Sequence, residues 1–282
     1  MILIFPTFKE FNSLFFIFKA VLTIFCVTNL FDLKGRVAAV TGGGGYLCGE
    51  MARGLAKAGC KIVVMDLREE KAELVAEEIR NDLGGEAIGI GIDASSKDAF
   101  KDGLAVTIDT FGRADILING AGINAPTPFL DIELDEFHAV MNSQMTSTLL
   151  GCQVFGEHML GQGKGSIINI SSASAGPPLS KAFIYSVAKA GILNLTQNLG
   201  REWGTQGVRV NAIRPGFFPT EWNRKNFITK EREAAILGHT PMARYGEVDE
   251  LVGAIIYLAS DAAAFVTGSE LAVDGGYSCM TI

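Results

Sequence analysis

The sequence predicts one α/β domain in which a parallel sheet of seven strands is wound on both faces by helices. Two observations carry this expectation. From Arg36 onwards, short runs rich in Val and Ile alternate with longer stretches whose apolar residues recur at helical spacing, the pattern of a parallel sheet built through crossover helices. A glycine-rich turn also joins the first such strand to the first helix, as in folds that bind a dinucleotide at the carboxyl ends of their strands. With 282 residues, 48% of them hydrophobic, the chain is long enough to enclose one substantial core.

Residues 1–30 stand apart, because they hold seven of the 18 phenylalanines and none of the 33 glycines. The apolar run Leu14 to Val27 is interrupted by Lys19 and falls short of the roughly 20 residues that a spanning helix needs. A signal peptide would want a basic start and a small-residue cleavage site; here Lys9 is offset by Glu10 and no such site follows. Two readings stay open for this hydrophobic extension: it precedes the true start, with Val27 a misread initiation codon, or it is a real hydrophobic arm. The catalytic domain is expected over residues 31–282, with no membrane association unless the extension is real.

The first strand, Val37 to Val40, leads through Thr41-Gly-Gly-Gly-Gly45 into a helix over Tyr46 to Ala58. Glycines let backbone approach a pyrophosphate whose charge is met by amides at the helix start, which makes Gly42, Gly44, Gly45, Tyr46 and Leu47 candidate cofactor contacts. This is the Rossmann type of doubly wound arrangement. The second strand, Lys61 to Met65, ends at Asp66, 24 residues after Gly42. A carboxylate there accepts hydrogen bonds from adenosine ribose hydroxyls and repels a 2′-phosphate, so the expected cofactor is NAD, with NADP disfavoured; Arg68 nearby tempers that preference. A solvated helix over 69–82 follows, then the strand Ala87 to Ile92, Asp93-Ala94, and a helix over 96–111. The fourth strand, Ala114 to Ile118, reaches Asn119-Gly-Ala-Gly122, and Pro126 and Pro128 mark a loop before a long helix over about 133–160. Later strands are Ser166 to Ser171, Val208 to Ile213 and Glu270 to Val273, with a helix over Glu247 to Ala259 before the last.

The formal charge of −7, with no cluster of Lys and Arg, argues against a nucleic-acid partner, because such binding depends on clustered cations that release counterions. Cys26, Cys48, Cys60, Cys152 and Cys279 show neither metal-ligand nor paired spacing, which suits a reducing, cytoplasmic location and predicts neither metal nor disulfide.

The sharpest chemical signal is Tyr185-Ser-Val-Ala-Lys189, in an apolar run of helical spacing from Phe183 to Leu199. Residues four apart share a helix face, so the Lys189 ammonium lies beside the Tyr185 phenol and favours the phenolate. Working at neutral pH asks for about 3 to 4 kcal/mol of such preference, for which a partly desolvated lysine plus a cationic cofactor would suffice. Ser172, thirteen residues upstream at the end of an apolar strand, is placed to bind the same substrate oxygen. Taken alone, a Tyr-x-x-x-Lys pair more often marks an ordinary solvated helix face.

Together with the glycine turn, Asn119-Gly-Ala-Gly122 and Pro215-Gly216, the order and spacing of Ser172, Tyr185 and Lys189 resemble the short-chain dehydrogenase/reductase family over residues 31–282. The resemblance implies reversible hydride transfer between NAD and a secondary alcohol or ketone. Ser172 would hold the oxygen, Tyr185 would move its proton, and Lys189 would bind the ribose and tune Tyr185. It also implies that Asp93 and Ala94 contact the adenine, that Asn119 and Ala121 lie against the cofactor, and that Pro215, Gly216, Phe218 and Thr220 hold the nicotinamide carboxamide. Three departures stand out. The family writes its turn T-G-x-x-x-G-x-G, and Tyr46 and Cys48 occupy its second and third glycine positions; it writes N-N-A-G where this chain has Gly120; and Gln144 falls where the family has a catalytic asparagine that helps to hold a proton-relay water.

Residues 221–245, which cover the substrate in relatives, narrow the choice of substrate. The runs Gly216 to Lys225 and His239 to Met242 most resemble D-mannonate oxidoreductase and gluconate 5-dehydrogenase members, which implies a sugar acid or polyol, with Arg224, just after Trp222, as candidate partner of a substrate carboxylate. The alternatives are a 3-oxoacyl-carrier-protein reductase, disfavoured by Asp66 and the negative charge, and a nucleotide-binding regulatory protein without catalysis. Asp274-Gly-Gly-Tyr277 resembles the tail that joins family subunits into a homotetramer or homodimer.

Overall fold

The structure, a computed structural model, describes residues 30–220, 224–225 and 228–280; residues 1–29 of the hydrophobic extension and Trp222 lie outside the described residues. Seven strands form the sheet: β1 (Val37–Thr41), β2 (Lys61–Asp66), β3 (Ala87–Gly91), β4 (Ile116–Asn119), β5 (Gly165–Ile170), β6 (Val208–Pro215) and β7 (Glu270–Val273). All their pairings are parallel, in the order β3-β2-β1-β4-β5-β6-β7. This is the doubly wound, Rossmann-type sheet expected from the sequence. The order reverses between β1 and β4, which is where such sheets open a ligand crevice at the strands' carboxyl ends.

The helices between the strands are α1 (Tyr46–Lys57), α2 (Glu69–Asp82), α3 (Lys97–Phe111), α4 (Leu134–Met141), α5 (Ser147–Gln162), α6 (Phe183–Trp203), α7 (Lys230–Gly238) and α8 (Val252–Ala259). Local chemistry sets their ends. The Ser96 hydroxyl accepts from the Ala99 amide to start α3, and Gly112, with φ of 79°, closes it in the left-handed region. Glu247 and Glu250 form a reciprocal capping box on the turn that leads into α8.

Helices cover both faces of the sheet, so the inner strands β1, β2, β4 and β5 are buried on both sides and read as continuous apolar runs. One core packs Met51, Leu55, Ile79, Ile118 and Ile255 between α1, α2, α8 and the sheet. The other packs Met65, Phe100, Leu117, Phe155 and Met159 beneath α3 and α5, with Phe100 and Phe155 edge to face at 6.4 Å.

The long helix expected over about 133–160 is present, but it is broken. Residues Asn142–Thr146 form a π-helical turn between α4 and α5. Such a turn inserts one extra residue into the helical ladder and re-aims the side chains beyond it. No helix among the described residues is long and apolar enough to cross a membrane.

Candidate active site

Each sequence-predicted group lies at the carboxyl end of a strand or on the helix that follows one. Ser172 sits two residues beyond β5, and its hydroxyl accepts from the Ser174 amide at 3.2 Å and lies 3.1 Å from the Ser174 hydroxyl. Tyr185 and Lys189 occupy the first two turns of α6. The Ser172 side chain acts on the Tyr185 phenol in the direction that lowers its pKa, so the tyrosine and serine expected to share one substrate oxygen are brought together. Lys189 is 3% exposed and donates from Nζ to the Ile170 carbonyl oxygen at 2.6 Å, with the ammonium 5.4 Å from the Tyr185 ring centroid.

The electrostatics differ from the sequence-based expectation. Burial pushes Tyr185 above the usual range for a phenol, and the Ser172 side chain works against that rise without cancelling it. Burial likewise drives Lys189 from 10.5 down to about 8. Desolvation therefore outweighs the lowering influence on Tyr185, and a positive charge placed near the phenol would act in the opposite sense.

A buried hydrogen-bond chain holds α6 to the sheet. Asn119 Nδ2 donates to Asn169 Oδ1 at 2.9 Å, Asn169 Nδ2 donates to Thr196 Oγ1 at 2.9 Å, and Thr196 donates to the Ile192 carbonyl at 2.8 Å. The Asn119 side chain is thus spent inside the fold, and only its backbone is left for the cleft. Neither Asn169 nor Thr196 carried a sequence signal, since each reads there as an ordinary strand or helix residue.

At the glycine turn, Gly42 has φ of 65°, and a Cβ there would lie 3.0 Å from Ala121, so turn and β4 loop touch through bare backbone. Gly45 begins α1 with no side chain capping the first-turn amides, and no acidic side chain lies in that turn. These features fit a pyrophosphate, which needs free amides and close backbone approach. Leu47 lies within that first turn, Gly44 beside it, and Tyr46 stands half exposed at its mouth. Asp66 is buried at the end of β2, accepting from the Gly44 amide at 3.2 Å and the Arg68 amide at 3.1 Å. Each carboxylate oxygen keeps a second lone pair for a ribose hydroxyl. The Arg68 Nε lies 3.8 Å from the same carboxylate.

Further along, Asp93 is exposed, held below its usual carboxyl range by hydrogen bonds from the Ser95 hydroxyl and amide, with Ala94 beside it. Pro215 is buried at the end of β6 and Phe218 in the turn after it, Gly216 donates its amide to the Val273 carbonyl, and Thr220 is half buried. Tyr277 of the tail packs within its own chain, edge to face with Phe217 at 5.2 Å and His239 at 4.9 Å. Gln144 lies in the π turn, 3% exposed, donating from Nε2 to the Ile123 carbonyl at 2.9 Å; its Oε1 is buried with no partner among the described residues. Arg224 is exposed, with its guanidinium 4.7 Å over the ring of buried Tyr245 and its amide donating to Thr220.

Known proteins are similar to this chain in sequence and fold. A family model described as enoyl-(acyl carrier protein) reductase matches residues 47–278. The D-threitol dehydrogenase of Mycolicibacterium smegmatis is 36% identical over 251 residues, covering 88% of this chain and 95% of that protein. A 3-oxoacyl-[acyl-carrier-protein] reductase of Synechocystis is 37% identical over 248 residues, covering 86% and 97%. Among solved structures, a gluconate 5-dehydrogenase from Burkholderia cenocepacia in complex with NADP and tartrate superposes with a TM-score of 0.85 at 35% identity, covering 90% of this chain and 99% of that one. A Haemophilus influenza protein provisionally described as a D-mannonate oxidoreductase, with bound NAD, superposes with a TM-score of 0.83 at 37% identity, covering 89% and 97%.

The shift of Lys189 predicts a pH signature. Below about 8 both the folded and unfolded chain carry the charged ammonium, whereas between about 8 and 10.5 the folded chain has released a proton that the unfolded chain keeps. Stability contributed at this position therefore rises with pH across that window. Relative to Lys189→Met, the wild type should gain up to about 3 kcal/mol over the window in urea unfolding. Parallel pH profiles for the two proteins would refute the burial argument.

Proposed function

Because the chain belongs to the short-chain dehydrogenase/reductase family and is an oxidoreductase acting on alcohol groups, we propose that it interconverts a secondary alcohol and its ketone on a sugar acid or polyol, with NAD as hydride partner. The observation that carries the reading is the Tyr185 phenol set beside both Ser172 and buried Lys189, at the ends of the strands where the sheet opens. When bound, the nicotinamide supplies or takes up the hydride.

The chain's own residues do the rest. In reduction, the Ser172 hydroxyl donates a hydrogen bond to the substrate carbonyl oxygen while Tyr185 gives that oxygen its phenolic proton; in oxidation, Tyr185 takes the proton back. Proton transfer of this kind contributes roughly 10² to 10⁴ fold. Lys189, fixed on the Ile170 carbonyl, presents its charge to the Tyr185 ring and keeps donors for a ribose hydroxyl. The first-turn amides of α1 would meet the pyrophosphate, and Asp66 the adenosine ribose. Asp66 supports NAD over NADP, while Arg68 beside it leaves the second cofactor a cationic partner.

Relatives that act on sugar acids and polyols support the substrate class, including the gluconate 5-dehydrogenase and D-threitol dehydrogenase. A second reading, a 3-oxoacyl-carrier-protein reductase, is favoured by the name of the Synechocystis relative. The net charge of −7 opposes it, since an acidic carrier requires a basic docking surface. The reading also has the chain act in the cytoplasm as a homotetramer or homodimer. Exposed apolar side chains that adjoin one another, with Phe129 5.5 Å from Phe183 and Val187 one turn further along α6, support a subunit contact.

Three outcomes test the proposal. Tyr185→Phe should lose at least about 10² fold in kcat, followed by NADH absorbance on a panel of sugar acids, polyols and acyl ketones, while NADH still binds. Turnover close to wild type would remove Tyr185 from the mechanism, and activity on acyl ketones alone would favour the reductase reading. Wild type should prefer NAD, and Asp66→Ala should weaken or invert that preference in kcat/KM; a wild-type preference for NADP would show the carboxylate to be misread. Arg224→Ala should cost about 10 to 150 fold in kcat/KM on a sugar acid but much less on a matched polyol. Equal losses would leave Arg224 only its stacking on Tyr245.

A further inference from the structure

The loop Asn119–Ile123 is the floor that the β4 strand end offers to the cleft, and three elements hold it. From β1, Thr41 Oγ1 accepts the Gly120 and Ala121 amides at 3.0 and 3.3 Å. From the π turn, Gln144 grips the Ile123 carbonyl, and a Cβ on Gly122 would overlap the Gln144 amide. From the first turn of α1, the Cys48 side chain reaches the loop at Gly120.

Gly120 is glycine for space and not for conformation. It is absent from the positive-φ residues, so its backbone is open to alanine, yet a Cβ there would fall well inside van der Waals contact of Cys48 Sγ. The same Cβ would lie 3.2 Å from the Thr41 carbonyl oxygen and 3.3 Å from Ile170 Cγ1, so it has no free side on which to settle. Cys48 is 6% exposed and built into the apolar core, so its thiol has little room to turn away. The loop has little room to shift either, because Gln144 packs against it at Gly122 and holds the Ile123 carbonyl. Ala121 in turn touches Gly42, so a displaced loop pushes on the glycine turn, and Ile170, the third neighbour, carries the carbonyl that holds Lys189.

We propose that Cys48 is a positioning residue: its thiol fits the notch at Gly120 and sets the height of the Asn119–Ile123 loop against the glycine turn, and thereby the width of the cofactor cleft. A sulfur at position 48 and a missing side chain at position 120 are then one feature shared between two elements. The inference rests on the cleft being the dinucleotide site.

A double-mutant cycle tests it on the full-length chain, using Cys48→Ala, Gly120→Ala and the double variant, with the dissociation constants of NADH and NADPH read from their fluorescence and the melting temperature of the cofactor-free protein read alongside. Alanine at 48 removes the sulfur without weakening the helix. Gly120→Ala alone should weaken binding of the preferred cofactor at least about tenfold, and the double variant should return to within about threefold of wild type, with the same non-additivity in melting temperature. If Gly120→Ala fails to fold, the double variant decides: folded and binding upholds the notch, unfolded or non-binding overturns it. Gly120→Ala binding like wild type, or a double variant no better than Gly120→Ala, overturns the positioning role alone. A wild type that binds neither NADH nor NADPH would instead defeat the reading of the cleft, and the positioning role with it.

Discussion

The arrangement of the site depends on one buried cation. Lys189 is almost fully enclosed, and an ammonium removed from water must find oxygen partners or lose its charge. It finds the Ile170 carbonyl at the end of β5, at 2.6 Å. That bond joins the second turn of α6 to the strand end from which Ser172 hangs, so one contact fixes both the helix that carries Tyr185 and the segment that carries Ser172. The Asn119–Asn169–Thr196 chain repeats the attachment deeper in the fold, tying β4, β5 and α6 together by uncharged hydrogen bonds. The cation anchors the side of α6 nearest the cleft, and the amides anchor the side nearest the core.

Burial that secures this geometry also works against the chemistry. The same desolvation that lowers Lys189 raises Tyr185, so the cofactor-free pair is tuned away from a ready phenolate. Such tension is common where ionisable groups are held in a cleft for catalysis. A positively charged ring placed near Tyr185 would act on a poorly screened phenol, where Coulomb terms are several-fold stronger than in water. Such a ring in the cleft would thereby favour ionisation of Tyr185.

Side chains that depart from the family pattern gather around one loop. Cys48, Gly120 and Gln144 lie far apart in sequence, yet two of them pack against the third's loop, Cys48 at Gly120 and Gln144 at Gly122 and Ile123. Gln144 lies within the π turn at Asn142–Thr146, and its side chain is one methylene longer than asparagine. Its extra reach is spent on the Ile123 carbonyl.

By itself the sequence determined the sheet, the positions of its strands and of every long helix but α7 to within a few residues, the glycine turn and the spacing of Ser172, Tyr185 and Lys189. Each is written in local pattern: period-two and period-3.6 runs, glycines where backbone must turn, and a four-residue spacing that shares a helix face. Tertiary structure decided what those residues experience. The sign of the Tyr185 shift follows from how completely neighbouring segments exclude water, which no local spacing records. The fate of the Asn119 side chain depended on Asn169 arriving from the next strand, and the break in the long helix on how α4 and α5 pack over α6. The partnership of Cys48 with Gly120 belongs to the same class. A missing side chain looks like flexibility in a sequence; only the fold shows that it is a space already filled by another residue.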